Sequence, residues 1–323
     1  MRPGSRAPGS IVEWRRMEGR DAVESLLAAF DRANLVALGE RHWVREDSQF
    51  RMALLRHPAF AATVNDIVVE FANPVYQEVL DRFVDGEPVA VEEVPRVWRD
   101  TTQPGAFDSP VYEQFLNAVR DRNGEVRRDQ RVRVLAADSP IDWAGISAPA
   151  DLDEATRGRD RFAATVIRRE VLDRGRRALA IFGAAHVCRN RAETIVDRLK
   201  EDGRARWFIV APIGGPGLPA AITAHKASVR DPALMMLAGS PVGRLPAGEV
   251  LEIGTRRIKT VDGRSVFRTG SRYSCRYSRA GFERAIWRTR VCILAKHNPN
   301  WWNHRPGFMT ASTAQRFDGV EAF

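Results

Sequence analysis

Three cysteines among 323 residues, Cys188, Cys275 and Cys292, are too few and too scattered for a disulfide framework or a thiolate zinc site. A reducing compartment is compatible with that scarcity. Long apolar runs are missing too. The uncharged stretch from Trp207 to Ala224 is broken by Pro212, Pro216 and Pro219, so no segment reads as a membrane span. The opening residues carry positive charge but no apolar segment long enough for a signal peptide, and a cytoplasmic location is expected. Lysine is scarce, with four against 46 arginines, a bias easier to attribute to coding than to a phosphate-binding face.

What is present is enough apolar material, 44% of the chain, for one large buried core. The net charge of +9 is unevenly spread: residues 264–323 hold eleven basic against three acidic side chains, so the preceding chain is nearly neutral. Nucleic-acid binding is therefore not expected of the core. The chain divides into a flexible N-terminus (1–19), an α/β domain (20–263) and a basic C-terminal extension (264–323) expected to be poorly structured. After a hairpin expected around Val250 to Val261, that extension mixes arginines with Tyr273, Tyr277, Trp287, Trp301 and Trp302. Such a run suits single-stranded nucleic acid or an anionic membrane, but is more often a solvated extension. The abrupt change of composition is also what out-of-frame translation produces.

Within the domain, short apolar bursts alternate with amphipathic stretches, which predicts a mostly parallel central sheet flanked by helices. Strands are expected at Leu35–Leu38, Ile67–Phe71, Val132–Ala137, Ala178–Phe182 and Trp207–Ala211. Helices are expected at Asp21–Asn34, Pro74–Val84, Pro110–Arg122, Asp153–Asp173 and Arg191–Glu201. Asp108-Ser109-Pro110 reads as a capped start, and Gly124 and Gly203 as stops.

Four of these strands run into polar chemistry, and in open parallel sheets the site gathers beyond the carboxyl ends of the strands. The first leads into Glu40 and His42, the second carries Glu70 inside its apolar run, the third leads into Asp138 and Asp142, and the fourth into His186. A histidine beside carboxylates is the simplest general base near neutral pH, because the acid fixes the tautomer and stabilises the imidazolium. His42 is the best candidate, with Glu40, Glu70, His186 and Asp138 completing a catalytic set. Glu40, His42 and His186 also form a candidate metal set, suited to manganese or zinc, and the same imidazoles or a tyrosine are candidate axial ligands for haem. No serine stands in a nucleophile-elbow context, which favours direct attack by water over an acyl-enzyme.

Two motifs, Gly39-Glu40-Arg41-His42 and Gly183-Ala184-Ala185-His186, resemble those of the erythromycin esterase, ChaN and Tiki/TraB-like superfamily. Glu70 follows His42 by 28 positions, as a carboxylate follows the base histidine in erythromycin esterases, and Arg159-Asp160 is similar as well. The resemblance covers about residues 20–263 and implies an α/β fold with a hydrolytic site. Its members differ in chemistry: the esterases use a histidine to activate water against a lactone, Tiki-like members are metal-dependent peptidases, and ChaN-like members bind haem. Carried over, His42 is the base, Glu40 and Glu70 its orienting or metal-binding partners, and His186 a second base or ligand. The implied partner is a small-molecule or peptide substrate. The chain is shorter than the esterases and shows no counterpart of a large helical lid, which tells against a macrolide.

Overall fold

The computed structural model describes residues 21–42, 44–189, 192–213, 233–237 and 289–294. The N-terminus (1–19), the hairpin expected around Val250 to Val261, and all of the basic extension except Thr289–Leu294 lie outside the described residues. Among the described residues, seven strands form one sheet in the order β3-β2-β4-β1-β5-β7-β6. They are β1 (Leu35–Glu40), β2 (Asp66–Val69), β3 (Arg133–Ala136), β4 (Ala178–Gly183), β5 (Trp207–Ile213), β6 (Ala233–Met236) and β7 (Thr289–Leu294). All neighbours are parallel except β6, which runs antiparallel to β7. The mostly parallel sheet read from the sequence is thus present, with one strand contributed by the basic C-terminal segment.

Helices α1 (Ala22–Ala29), α2 (Arg45–Arg56), α3 (Gln77–Val84), α4 (Pro110–Glu125) and α5 (Pro149–Val166) flank the sheet. Every residue of β1 is buried, and alternate side chains feed two cores. Val36 and Leu38 join Ile67, Val69 and Ile181 under α1, α2, α3 and α4. Leu35 and Ala37 join Val68, Ala180 and Phe182 under α5. This double coverage explains why the strands read as continuous apolar runs. Among the described residues no helix is long and apolar enough to cross a membrane.

Several boundaries differ from the sequence reading for local reasons. β1 continues through Gly39 and Glu40 because both stay in register with β4, opposite Phe182 and Gly183. β2 stops at Val69, so Glu70 lies just past the strand rather than within it, although its N–H still donates to the Ile181 carbonyl at 3.0 Å. α4 starts at Pro110 without a side-chain cap from Ser109, and it runs through Gly124. α5 passes into a π-helix at Ile167–Leu172. The helix expected over Arg191–Glu201 is reduced to Ile195–Arg198: Glu193 has a positive φ of 59°, and Thr194 caps the turn by accepting from the Asp197 N–H.

Among the described residues, strand β3 is the outer edge of the sheet on one side. There the side-chain amide of Gln77 donates to the Val134 carbonyl and accepts from the Ala136 N–H, both at 2.8 Å. At the opposite, amino-terminal end of the strands, the fully buried Asp66 is held by Arg133 and Arg176, each at 2.7 Å.

Candidate active site

The register of three adjacent strands assembles the site. β4 lies between β1 and β2, so the carboxyl ends of all three open at one place. Glu40 lies opposite Gly183, and Glu70 follows Val69, which lies opposite Ile181. The Gly183 N–H donates to Glu70 Oε2. Close approach explains both motif glycines. A Cβ on Gly183 would lie 3.0 Å from His42 Nε2 and 3.2 Å from Glu70 Oε2, and one on Gly39 would lie 3.1 Å from Ala184. Replacing Gly183 with alanine is therefore expected to push the His42 ring and the Glu70 carboxylate apart. The cost is about 1–3 kcal/mol, read as a lower melting temperature.

His42 stands in the turn after β1 and is partly exposed, with 24% of its side chain accessible. Its Nδ1 pairs with Glu40 Oε1 at 2.8 Å, and because an ionised carboxylate only accepts, Nδ1 carries the proton. Nε2 then holds the lone pair in the neutral ring, and it faces Glu70 Oε1 at 4.0 Å. Glu40 is itself fixed on two further sides, by Arg51 on Oε2 and by the Tyr112 hydroxyl, which donates to Oε1 at 2.9 Å. The Arg51 guanidinium lies among the rings of Phe71, Tyr112 and Phe115.

His186, in a single helical turn after β4, repeats the arrangement from the other side. Its Nδ1 pairs with Asp160, and its Nε2 faces Glu70 Oε1 at 3.4 Å. Glu70 is thus shared by two histidine–carboxylate dyads. It also accepts from Arg159 and, at 3.0 Å, from the Gln103 amide. Arg159 and Asp160 are consecutive on α5, so one helix supplies the cation beside Glu70 and the carboxylate behind His186.

Asp138 does not touch either imidazole. It accepts from Arg159 Nε at 2.8 Å and from the Thr102 N–H and hydroxyl at 2.6 and 2.8 Å, and so orients the guanidinium that lies against Glu70. Asp142 is exposed and caps a turn, accepting from the Ala144 N–H. The fully buried Asn73 ties the surrounding loops together: its amide donates to the carbonyls of Asp100 and Ile141, at 2.7 Å each, and accepts from the Val75 N–H.

The charges explain the protonation. Four carboxylates (Glu40, Glu70, Asp138, Asp160) meet two guanidiniums (Arg51, Arg159), so the site favours two imidazoliums. Burial opposes ionisation of Glu70, but His186, Arg159, His42 and the Gly183 N–H overcome it and hold its pKa at about 2. Burial likewise works against Glu40, and Arg51 and His42 outweigh it, so its pKa is lowered. Burial disfavours a charged His42, yet the Glu40 hydrogen bond and the charges of Glu70 and Glu40 raise its pKa. His186 is raised in the same way, against burial, by Glu70 and Asp160. At Asp138 burial prevails over Arg159 and Thr102 and its pKa is raised.

Glu40, His42, Glu70 and His186 are therefore brought together, and Asp138 joins them through Arg159. Among the described residues, no group of three His, Cys, Asp or Glu side chains is arranged to hold a metal ion. The donor set does not fit a divalent cation, since Glu40 and Glu70 each carry a guanidinium and Glu40 also binds His42. His42 and His186 both turn Nε2 toward Glu70, at 4.0 and 3.4 Å, and the Tyr112 hydroxyl is committed to Glu40. A cavity of about 460 Å³ lies elsewhere, beside the outer edge of β3 between Gln77, Asp81, Phe162 and Glu170, and contains none of these groups.

Sequence reasoning did not find Arg51, Tyr112, Thr102, Gln103 or Asn73. Arg51 left a trace: it precedes Leu54 and Leu55 by three and four positions, a charge on the apolar face of α2 that needs a buried partner.

Neither a protein-family model nor a curated relative matches the sequence. Among solved structures, the chain is similar to a mutant of the erythromycin esterase EreC in its open conformation, at 11% identity and a TM-score of 0.51 over 84% of this chain and 92% of that one. It is also similar to ChaN of Campylobacter jejuni with cofacially bound haem (14% identity, TM-score 0.40, 58% of this chain and 84% of that one). A third is the type III effector HopBA1 (12% identity, TM-score 0.41, 61% and 85%). The protein has the α/β fold of the erythromycin esterase. The resemblance read from two short motifs is met at the level of fold by the erythromycin esterase.

Proposed function

We propose that the protein is a hydrolase in which His42 activates a water molecule against an ester, lactone or amide bond. The observation that carries this reading is the fixed tautomer of His42: Glu40 holds Nδ1–H at 2.8 Å, which leaves the Nε2 lone pair as the proton acceptor on a partly exposed ring. Glu40 and Glu70 stabilise the imidazolium that forms when the water gives up its proton. The leaving group then takes that proton back. Similarity in fold to an esterase is compatible with this chemistry without choosing the substrate.

The test is a pH–rate profile on a panel of ester, lactone and amide substrates. A base must be neutral to act, and the His42 pKa is raised, so turnover is expected to be low in mild acid and to climb as the ring loses its proton. The midpoint should lie above the ordinary histidine value of about 6.5. A rate that falls over that range, or an absence of turnover on the whole panel, sinks the reading.

A further inference from the structure

A hydrolytic site must stabilise the oxyanion that develops on the attacked carbonyl, and most donors around the imidazoles are already committed. Arg51 is 3% exposed and bound to Glu40 and Ser48, and Arg159 is 8% exposed and bound to Glu70 and Asp138. The Tyr112 hydroxyl is held by Glu40, and the Gly183 N–H by Glu70. The amide of Gln103 differs. It belongs to a half-buried residue at the edge of the site, and it donates to Glu70 Oε1 at 3.0 Å. Glu70 is held ionised and only accepts, so the amide must turn its nitrogen, not its oxygen, toward it. That nitrogen has a second N–H, for which no partner is found among the described residues.

The backbone carrying this amide is immobilised from both sides. Thr102, immediately before it, is bound to Asp138 through both its N–H and its hydroxyl. Gly105, two residues after, takes a φ of 81° to close the turn, and the Ala106 N–H donates back to the Gln103 carbonyl at 3.1 Å. Phe107 then sets its ring edge-on to His42, with centroids 5.4 Å apart. One loop therefore touches Asp138, Glu70 and His42. It places a neutral donor on Glu70, next to the base.

We propose that Gln103 is the substrate-facing donor of the site, its second Nε2–H stabilising the oxyanion formed from the scissile carbonyl. The inference rests on the hydrolase reading above. In the step it serves, the water oxygen bonds to the carbonyl carbon while a water proton passes to His42 Nε2. The carbonyl π pair moves onto the oxygen held by Gln103. Collapse of this intermediate breaks the bond to the leaving alcohol or amine, which takes the proton from His42, and the carboxylic acid is released.

Turnover of the full chain is compared with that of Gln103→Ala and Gln103→Glu, the latter keeping the size but losing both N–H donors. Removal of one oxyanion donor is expected to lower kcat roughly 10²–10³-fold with little change in KM, because the interaction strengthens only as charge develops. The histidine ring protons, followed by NMR titration, should keep the wild-type midpoint of His42 in Gln103→Ala. Unchanged kcat overturns the inference. So does a loss that disappears once a shifted His42 midpoint is corrected for, since that marks a residue that merely steadies Glu70. The underlying reading is judged by different measurements: no turnover by the wild type on any substrate removes the hydrolase assignment, wild-type turnover by His42→Gln removes His42 as its base, and a dead His42→Gln beside an unimpaired Gln103→Ala removes only the role of Gln103.

Discussion

Substituting His42 with glutamine is expected to lower turnover by roughly two to four orders of magnitude while the fold persists. The loss is chemical because the replacement amide has no basic nitrogen to accept the proton of water. The fold should persist because His42 is partly exposed, and because Glu40 keeps Arg51 and Tyr112 when the imidazole is gone. Circular dichroism and the melting temperature check the second half of the statement, and steady-state kinetics the first. Glu40→Gln gives a graded comparison: it leaves the base present but no longer fixes its tautomer, so activity should fall with the histidine still able to titrate. If His42→Gln keeps the wild-type rate, the proton is taken elsewhere.

The largest effect on stability is expected at Glu70. Its carboxylate is 3% exposed and meets Arg159, both imidazoles, the Gly183 N–H and the Gln103 amide. Glu70→Gln preserves the shape but removes the charge, so a buried guanidinium is left with Asp138 alone and an amide N–H is forced among other donors. Breaking a buried ion pair from one side costs about 3–5 kcal/mol, a fall in melting temperature on the order of 10 °C for a domain of this size. Linkage supplies a second signature. Glu70 has its pKa lowered to about 2, so its contribution is present above the ordinary carboxylate range and fades as the pH falls toward that value. The variant should therefore lose its deficit relative to the wild type in strong acid. The two histidines run the other way, being raised, so what they contribute is present in acid and lost as the pH climbs through their folded-state values. Without Glu70, both should titrate at lower pH by NMR. A variant as stable as the wild type at neutral pH would show that Glu70 is not the hub of the site.

The strands and the four strand-end residues were legible because each depends on local pattern. Doubly covered strands advertise themselves as short apolar runs, and Glu40, His42, Glu70 and His186 follow such runs directly. Their supports were illegible for the opposite reason. Tyr112 meets Glu40 across 72 positions, and its aromatic ring fits the apolar stripe of α4 with nothing to mark the hydroxyl. Thr102, Gln103 and Asn73 act from loops whose course is set by tertiary contacts, with Thr102 reaching Asp138 across 36 positions. Asp138 was legible as one of the strand-end set, but its partner was not: Arg159 reaches it from α5, 21 positions on. Helix ends were the least readable, as Gly124 shows: it lies inside α4, where packing of Tyr112, Phe115, Leu116 and Val119 outweighs the weak helical preference of one glycine.

The outer border of the sheet at β3 carries its own stopper. Where an absent neighbouring strand would offer a peptide group, the protein supplies one from a side chain, and Gln77 matches both the carbonyl of Val134 and the N–H of Ala136. A bare border of this kind is a template on which a second polypeptide can zip itself. Because a residue of the same molecule already sits there, an incoming strand would first have to evict it from both peptide groups.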